Sequence, residues 1–246
     1  MGAVSDTPLK PSLFCTTRWS VVLKAQGGSE SEAALSLETL CRTYWPPLYA
    51  YARSHGHSPH DAEDLTQGFF ARLLEKEHLR AVQREKGRFR QFMLMAFKRF
   101  LSHEWERECA AKRGGGATIE PLDTTTAEGL FVADSGRAPS PDAAFDRRWA
   151  LSLLERVLGR LREEFESAGR AAEFALLKPF LTAESATLDY AQVAAELAST
   201  EGAARVAVHR IRKRFRQLFR EEIERTVADP AEVDDELRHL VGALAE

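Results

Sequence analysis

The chain has 246 residues, 44% hydrophobic and 29% charged, enough to bury one large core or two small ones. A formal net charge of −3 excludes a generic polycation, so any contact with nucleic acid must come from local charge asymmetry. Cys15, Cys41 and Cys109 are far apart, odd in number and never in a C-x-x-C pair, which argues against a disulfide framework or a zinc finger and fits a reducing, cytoplasmic setting.

Helical spacing dominates, and alternating strand-like runs with Asn-Gly or Asp-Gly turns are absent, so the chain reads as all-α. Residues 1–30 read as an N-terminal extension, polar at first, with a short helix around residues 19–24. A longer helix is predicted over residues 31–53, interrupted or bent at Pro46 and Pro47. The next start is explicit. Ser58 stands at the N-cap, Pro59 at the first helical position and Asp61 at the third, and the helix runs to about Glu75. An amphipathic run over residues 86–112 carries Phe89, Phe92, Met93, Phe97, Phe100 and Leu101 toward a core.

Residues 113–141 are rich in Gly, Pro, Ser and Thr and read as a flexible linker. Thr124, Thr125, Thr126, Ser135 and Ser140 within it are compositionally able to accept phosphate. Beyond it, helices are predicted over residues 143–167, 171–181 and 190–198, followed by a basic helix from about residue 201. The expected organisation is thus a first helical domain over 31–112, the linker, a second over 142–226, and an acidic extension over 227–246. No stretch approaches about 18 consecutive apolar residues and the first residues lack a basic-then-apolar leader, so neither a membrane span nor a signal peptide is expected.

The basic helix is the most unusual feature. From Arg205 to Arg220 there are seven Arg or Lys residues and no acid. Ala204, Val208, Ile211, Phe215 and Leu218 form one apolar stripe, leaving Arg205, His209, Arg210, Arg212, Lys213 and Arg216 on the flanks and outer face. Tyr190, Val193, Ala194 and Leu197 give a short apolar face upstream, and Ser199 to Gly202 supply a turn with capping hydroxyls. Two short helices joined in this way are a helix-turn-helix, whose second helix enters the DNA major groove by its first residues. Ala203, Arg205, Val206 and His209 would then face base edges, while Arg210, Arg212, Lys213, Arg214 and Arg216 would hold phosphates. The bland alternative is a solvated helix face. Between Glu221 and Glu246 nine acids stand against Arg225 and Arg238, which offsets the basic helix and explains the mild net charge.

The helix start His60-Asp61-Ala62-Glu63-Asp64 places three carboxylates in one turn. Acids at a helix start are favoured by the macrodipole and need no further role. A magnesium site would require a second acidic cluster on a facing helix, and none is evident. His103-Glu104-Trp105-Glu106-Arg107 lacks the second histidine of a zinc-protease motif, and His55, His57 and His60 with Cys41 lack a second cysteine. No metal, cofactor or catalytic residue is therefore expected.

DAEDLTQGFFARLLE followed by KGRFRQFMLMAFKRFLSHEWER resembles region two of sigma-70 family factors of the extracytoplasmic-function type, and EGAARVAVHRIRKRFRQLF resembles region four of the same proteins. The resemblance spans residues 37–225, in the right order and with a linker between the parts. It implies two small helical domains, a non-catalytic role in bacterial transcription initiation, and core RNA polymerase and promoter DNA as partners. It also admits an anti-sigma factor or a regulatory kinase, and no membrane association. By position, Asp61, Glu63, Asp64 and Gln67 would dock on core polymerase. Lys86, Arg88, Arg90, Lys98, Arg99, His103, Trp105 and Arg107 would hold the melted minus-ten strand, with Phe92 and Phe97 kept for the core. Arg205, Val206, His209 and Arg210, backed by Arg212, Lys213, Arg214 and Arg216, would engage the duplex minus-thirty-five element. Two departures from the family pattern stand out: Arg99 replaces a common polar Asn, and Ala198 or Ser199 stands where a glycine usually precedes the helix-turn-helix turn. The rival reading is a helix-turn-helix regulator that binds duplex DNA without polymerase.

Overall fold

The structure is a computed structural model describing residues 22, 25, 27, 29–75, 88–111, 125–134, 140–181, 189–227 and 229–245. Among the described residues there are helices and no strands, as the spacing predicts. The helices are α1 (Glu30–Ser54), α2 (Pro59–Glu75), α3 (Phe89–Ala111), α4 (Thr125–Asp134), α5 (Pro141–Ser167), α6 (Ala171–Leu177), α7 (Tyr190–Glu196), α8 (Glu201–Glu224) and α9 (Val233–Ala245). Short 3-10 turns follow α6 (Lys178–Leu181) and precede α9 (Pro230–Glu232). The predicted helix near residues 19–24 lies outside the described residues except for Val22, which is helical and buried.

α1 is a single helix through Pro46 and Pro47 rather than an interrupted one. The two prolines remove backbone donors, but Tyr44, Trp45, Leu48 and Tyr49 around them are all buried, and packing overrides local propensity. Tyr51 and Phe69 meet Phe97 edge-on, with ring centroids 5.9 and 5.2 Å away. These contacts close α1, α2 and α3 into the first core. A Cβ on Gly68 would stand 3.3 Å from the Phe100 ring, so the missing side chain lets α2 approach α3 closely. The 171–181 prediction resolves into α6 plus a 3-10 turn, because Pro179 cannot continue the α-helical hydrogen bonding.

Helices pack across the expected boundary between the two domains. The first half of α5 lies along α1, where Trp149 stacks on Tyr44 at 5.0 Å and Phe145, Ala150 and Leu153 are buried. Its second half carries α8, through the buried Val157 and Leu161 and through Arg160, which pairs with Glu221 at 3.1 Å and Glu222 at 2.5 Å. One helix therefore serves both lobes.

The expected linker also contains structure. Within 113–141, α4 docks on α1: Glu128 accepts from the Tyr49 hydroxyl at 2.5 Å and from Arg53 Nε and Nη2 at 3.0 Å each, and the Arg53 guanidinium lies 4.9 Å from the Phe131 ring centroid. Ala127 is buried beneath. The polar composition of the segment conceals this anchor because its partners lie on α1.

The Arg53 hydrogen bonds hold the Glu128 carboxyl below its ordinary value of 4.5. A depressed carboxylate stabilises above its unfolded pKa, and that contribution is lost as pH falls through the folded value. Amide protection of α4 should therefore decline as the pH is lowered below about 4.5, while Tyr49→Phe should cost about 1.5 kcal/mol at neutral pH by removing a hydrogen bond to a charged acceptor. Urea unfolding monitored by hydrogen exchange checks both, and an α4 protected equally at pH 7 and pH 3 contradicts the first.

Candidate nucleic-acid and polymerase interfaces

The α2 start is built as the sequence predicts. The Ser58 hydroxyl accepts from the Asp61 amide at 3.1 Å and donates to the Asp61 carboxylate at 2.7 Å, which lowers the Asp61 pKa, with His57 and His60 adding to the effect. His60 lies 3.1 Å from the Asp64 carboxylate. Asp61 and Asp64 are exposed, and Glu63 and Gln67 are half-buried. The four residues share one helix, with the two exposed acids facing solvent.

Of the residues assigned to strand binding, Lys86 lies outside the described residues and the side chain of Arg107 is not described. Arg99, His103 and Trp105 are exposed on α3, Trp105 at 69%. Phe97 is fully buried and Phe92 half-buried, which fits their assignment to the core. Lys98 sits 2.7 Å from Asp142 and 5.7 Å from the Tyr51 ring centroid, already engaged.

Arg90 departs from expectation. Its side chain is 5% exposed and forks onto Glu236 of α9, Nε to Oε1 at 2.7 Å and Nη2 to Oε2 at 3.1 Å, while Nη1 pairs with Asp146 of α5. Burial alone would lower the guanidinium pKa, but the Glu236 hydrogen bonds and the charges of Glu236 and Asp146 hold it above its ordinary value. Arg88 donates to the same Glu236 at 2.7 Å and approaches Glu232 at 3.8 Å. Arg88 and Arg90 are thus not open to a strand in this conformation, since Glu232 and Glu236 from the far end of the chain and Asp146 of α5 already pair with them.

The helix-turn-helix is formed by α7 and α8. Asp189 caps α7, its carboxylate accepting from the Gln192 amide at 3.0 Å, and Thr200 caps α8, its hydroxyl accepting from the Ala203 amide at 3.2 Å. Between them the Ser199 amide donates to the Ala194 carbonyl at 2.9 Å and the Ala198 amide to the Ala195 carbonyl at 3.1 Å. That paired closure needs a left-handed residue, and Ala198 supplies it at φ 47°. Gly202 lies inside the first turn of α8 instead, so the conformational freedom glycine offers is not used where the turn demands it.

The apolar stripe of α8 faces inward, with Ala204, Val208, Ile211 and Leu218 buried. Arg205, His209, Arg210, Lys213 and Arg216 are exposed. Arg205 lies 4.9 Å over the Tyr190 ring and 3.5 Å from Glu201. Val206 is 47% exposed and, with Ala203 and Arg210, lines an open groove of about 620 Å³ against Phe165 and Arg170. Two of the assigned cations are structural. Arg214 forks onto Glu164 at 2.8 and 2.5 Å, which raises the Arg214 pKa and lowers that of Glu164, and Arg212 donates to the Phe180 carbonyl at 2.8 Å. Sequence periodicity places Arg212 at the flank or outer face of the stripe, and a partner from a neighbouring element cannot be foreseen for either residue.

Among the described residues no group of three or more His, Cys, Asp or Glu is placed to hold a metal, and no helix is long and apolar enough to cross a membrane.

Residues 40–108, from within α1 to within α3, match the family model for sigma-70 region 2. That segment is similar to region 2 of sigma-70 family factors, as the resemblance of the α2 and α3 sequences implies. No curated protein and no solved structure matches it. Proteins that carry this region are non-enzymatic transcription initiation factors, and the match supports a role in promoter recognition with core RNA polymerase and promoter DNA. The matched segment carries the acidic start of α2, the Arg88–Arg90 pair and the exposed face of α3.

The left-handed Ala198 yields a direct test. Replacing it with glycine relieves a backbone penalty of about 1–2 kcal/mol, offset in part by the greater entropy of glycine in the unfolded chain. Ala198→Gly should therefore stabilise the protein by about 0.5–1 kcal/mol in urea unfolding; a loss of stability would mean the turn is not closed in this way.

Proposed function

We propose that this chain is a sigma-70 family factor of the extracytoplasmic-function type that directs initiation by reading duplex minus-thirty-five DNA with α8 and holding the melted minus-ten strand on α3. The observation that carries the reading is the order of parts: a region 2 match followed, across α5, by a capped helix-turn-helix whose second helix exposes Arg205, His209, Arg210, Lys213 and Arg216. On this reading Asp61, Glu63, Asp64 and Gln67 dock on core polymerase, where exposed carboxylates steer a basic partner. Arg205, Val206 and His209 reach base edges, and Arg210, Lys213 and Arg216 hold phosphates. Arg214 ties α8 to Glu164 of α5 and Arg212 ties it to the Phe180 carbonyl in the 3-10 turn after α6. Arg99, His103 and Trp105 are the accessible strand contacts, with Trp105 offering a stacking face.

The decisive experiment is size-exclusion co-migration of the purified chain with bacterial core RNA polymerase. Wild type should co-migrate at equal stoichiometry, and Asp64→Arg should not, while keeping its helical circular dichroism. Retained co-migration by Asp64→Arg would remove the α2 face from the interface. Arg205→Ala in reconstituted holoenzyme should lose about 1–3 kcal/mol of discrimination between promoter and mutated minus-thirty-five sites; undiminished discrimination would restrict Arg205 to phosphate or solvent. Tight, specific duplex binding by the free chain with no polymerase association would instead favour a stand-alone regulator.

A further inference from the structure

The carboxyl-terminal segment is built into the fold at several points. Val233 and Leu240 are buried and Leu237 and Leu244 half-buried, a stripe spaced by four, three and four along α9. Asp234 pairs with Arg220 of α8 at 2.5 Å at one end of the helix. At the other, Arg147 of α5 donates to the Ala243 and Leu244 carbonyls at 3.3 and 3.1 Å, taking up groups a helix end leaves without intrahelical partners. Midway, Glu236 is 1% exposed and receives both Arg88 and Arg90, and Asp146 receives Arg90 and, at 2.8 Å, His239.

We infer that α9 is an intramolecular stand-in for the nucleic-acid strand: Glu236, with Asp146 and Glu232, occupies the guanidinium forks of Arg88 and Arg90, and the strand gains these two cations only when α9 leaves. The inference rests on the reading that Arg88 and Arg90 are strand contacts. Its physical basis is exclusion. A guanidinium presents one planar set of donors that fits a carboxylate or a phosphate equally well, so the Arg90 fork cannot serve Glu236 and a phosphate together. The two arginines open α3 within the matched region 2 segment, yet their acids come mainly from the chain terminus. Because α9 also packs on α5 and α8, its departure would be felt in the helix-turn-helix, so strand capture and duplex contact are linked through one element.

The test reads binding of the full chain to a fluorescently labelled twelve-nucleotide oligodeoxythymidylate by anisotropy across a salt series. Glu236→Gln should tighten binding at least about fivefold and steepen the log–log salt slope by about 1.4, two phosphates at 0.7 each. Adding Arg88→Ala and Arg90→Ala to Glu236→Gln should abolish the gain. Unchanged affinity in a Glu236→Gln chain whose α1 and α3 retain amide protection overturns the inference, as does a gain that survives loss of both arginines. A second arm leaves the packing intact, in case Glu236→Gln unfolds: Arg220→Cys with Asp234→Cys, in a chain whose Cys15, Cys41 and Cys109 are serine, is bridged by a bifunctional maleimide. The bridged chain should bind the oligonucleotide at least about fivefold more weakly than the unbridged one, and equal binding refutes a releasable α9. Co-migration of wild type with core polymerase is scored separately. Its absence sinks the polymerase reading but leaves the oligonucleotide result to decide α9, whereas co-migration with no effect in either arm sinks the α9 inference alone.

Discussion

The fold buries Arg90, and a buried guanidinium is tolerable only with an acid beside it. The acid is Glu236, 146 residues further along the chain, so in this conformation the start of α3 is tied to α9. Losing one partner of such a pair costs about 3–5 kcal/mol, because the remaining charge has no water to return to. The same point fixes α5, since Asp146 takes the third branch of Arg90, and one turn later Trp149 stacks on Tyr44 of α1. The start of α3, the first half of α5 and the end of the chain are thus mutually conditional. These contacts join segments that composition alone assigns to separate regions.

Apolar periodicity made most of the helices legible. The Ser58 cap, the inward Phe97, the α8 stripe and the Thr200 turn could all be read locally, because each depends on residues within about a turn of itself. What escaped local reading depends on distant partners. α4 looks like linker until Tyr49 and Arg53 are placed beside Glu128. α9 looks like an acidic tail because charge is its most visible property, although Val233, Leu237, Leu240 and Leu244 already carry a helical stripe that signals a seat. In the candidate site the failures share that cause: Arg90, Arg212 and Arg214 are cations whose counter-groups come from other helices, while Arg205, His209 and Arg216, read as outward, are exposed.

The mild net charge hides a division of labour among the acids. Glu164, Glu221 and Glu222 neutralise Arg214 and Arg160 behind α8, and Asp234 meets Arg220 at its far end. None of these pairs involves the exposed Arg205, His209, Arg210, Lys213 and Arg216, although Glu201 lies near Arg205. The acids that follow the basic helix therefore lock its rear and its end in place without screening its outer face. A basic face held on a rigid helix retains its field for a polyanion, whereas one paired with its own acids loses it within a Debye length.

The two nucleic-acid surfaces of the proposed function consequently differ in availability within one conformation. α8 presents its cations to solvent, but the two arginines at the start of α3 are already satisfied. A duplex contact by α8 needs no rearrangement of side chains in the core, while use of Arg90 by a strand requires the Glu236 fork to open, and with it the α9 seat against α5. Free energy from polymerase or duplex binding can be applied to that opening only through elements that touch α9, and α5 and α8 are the two that do so most extensively.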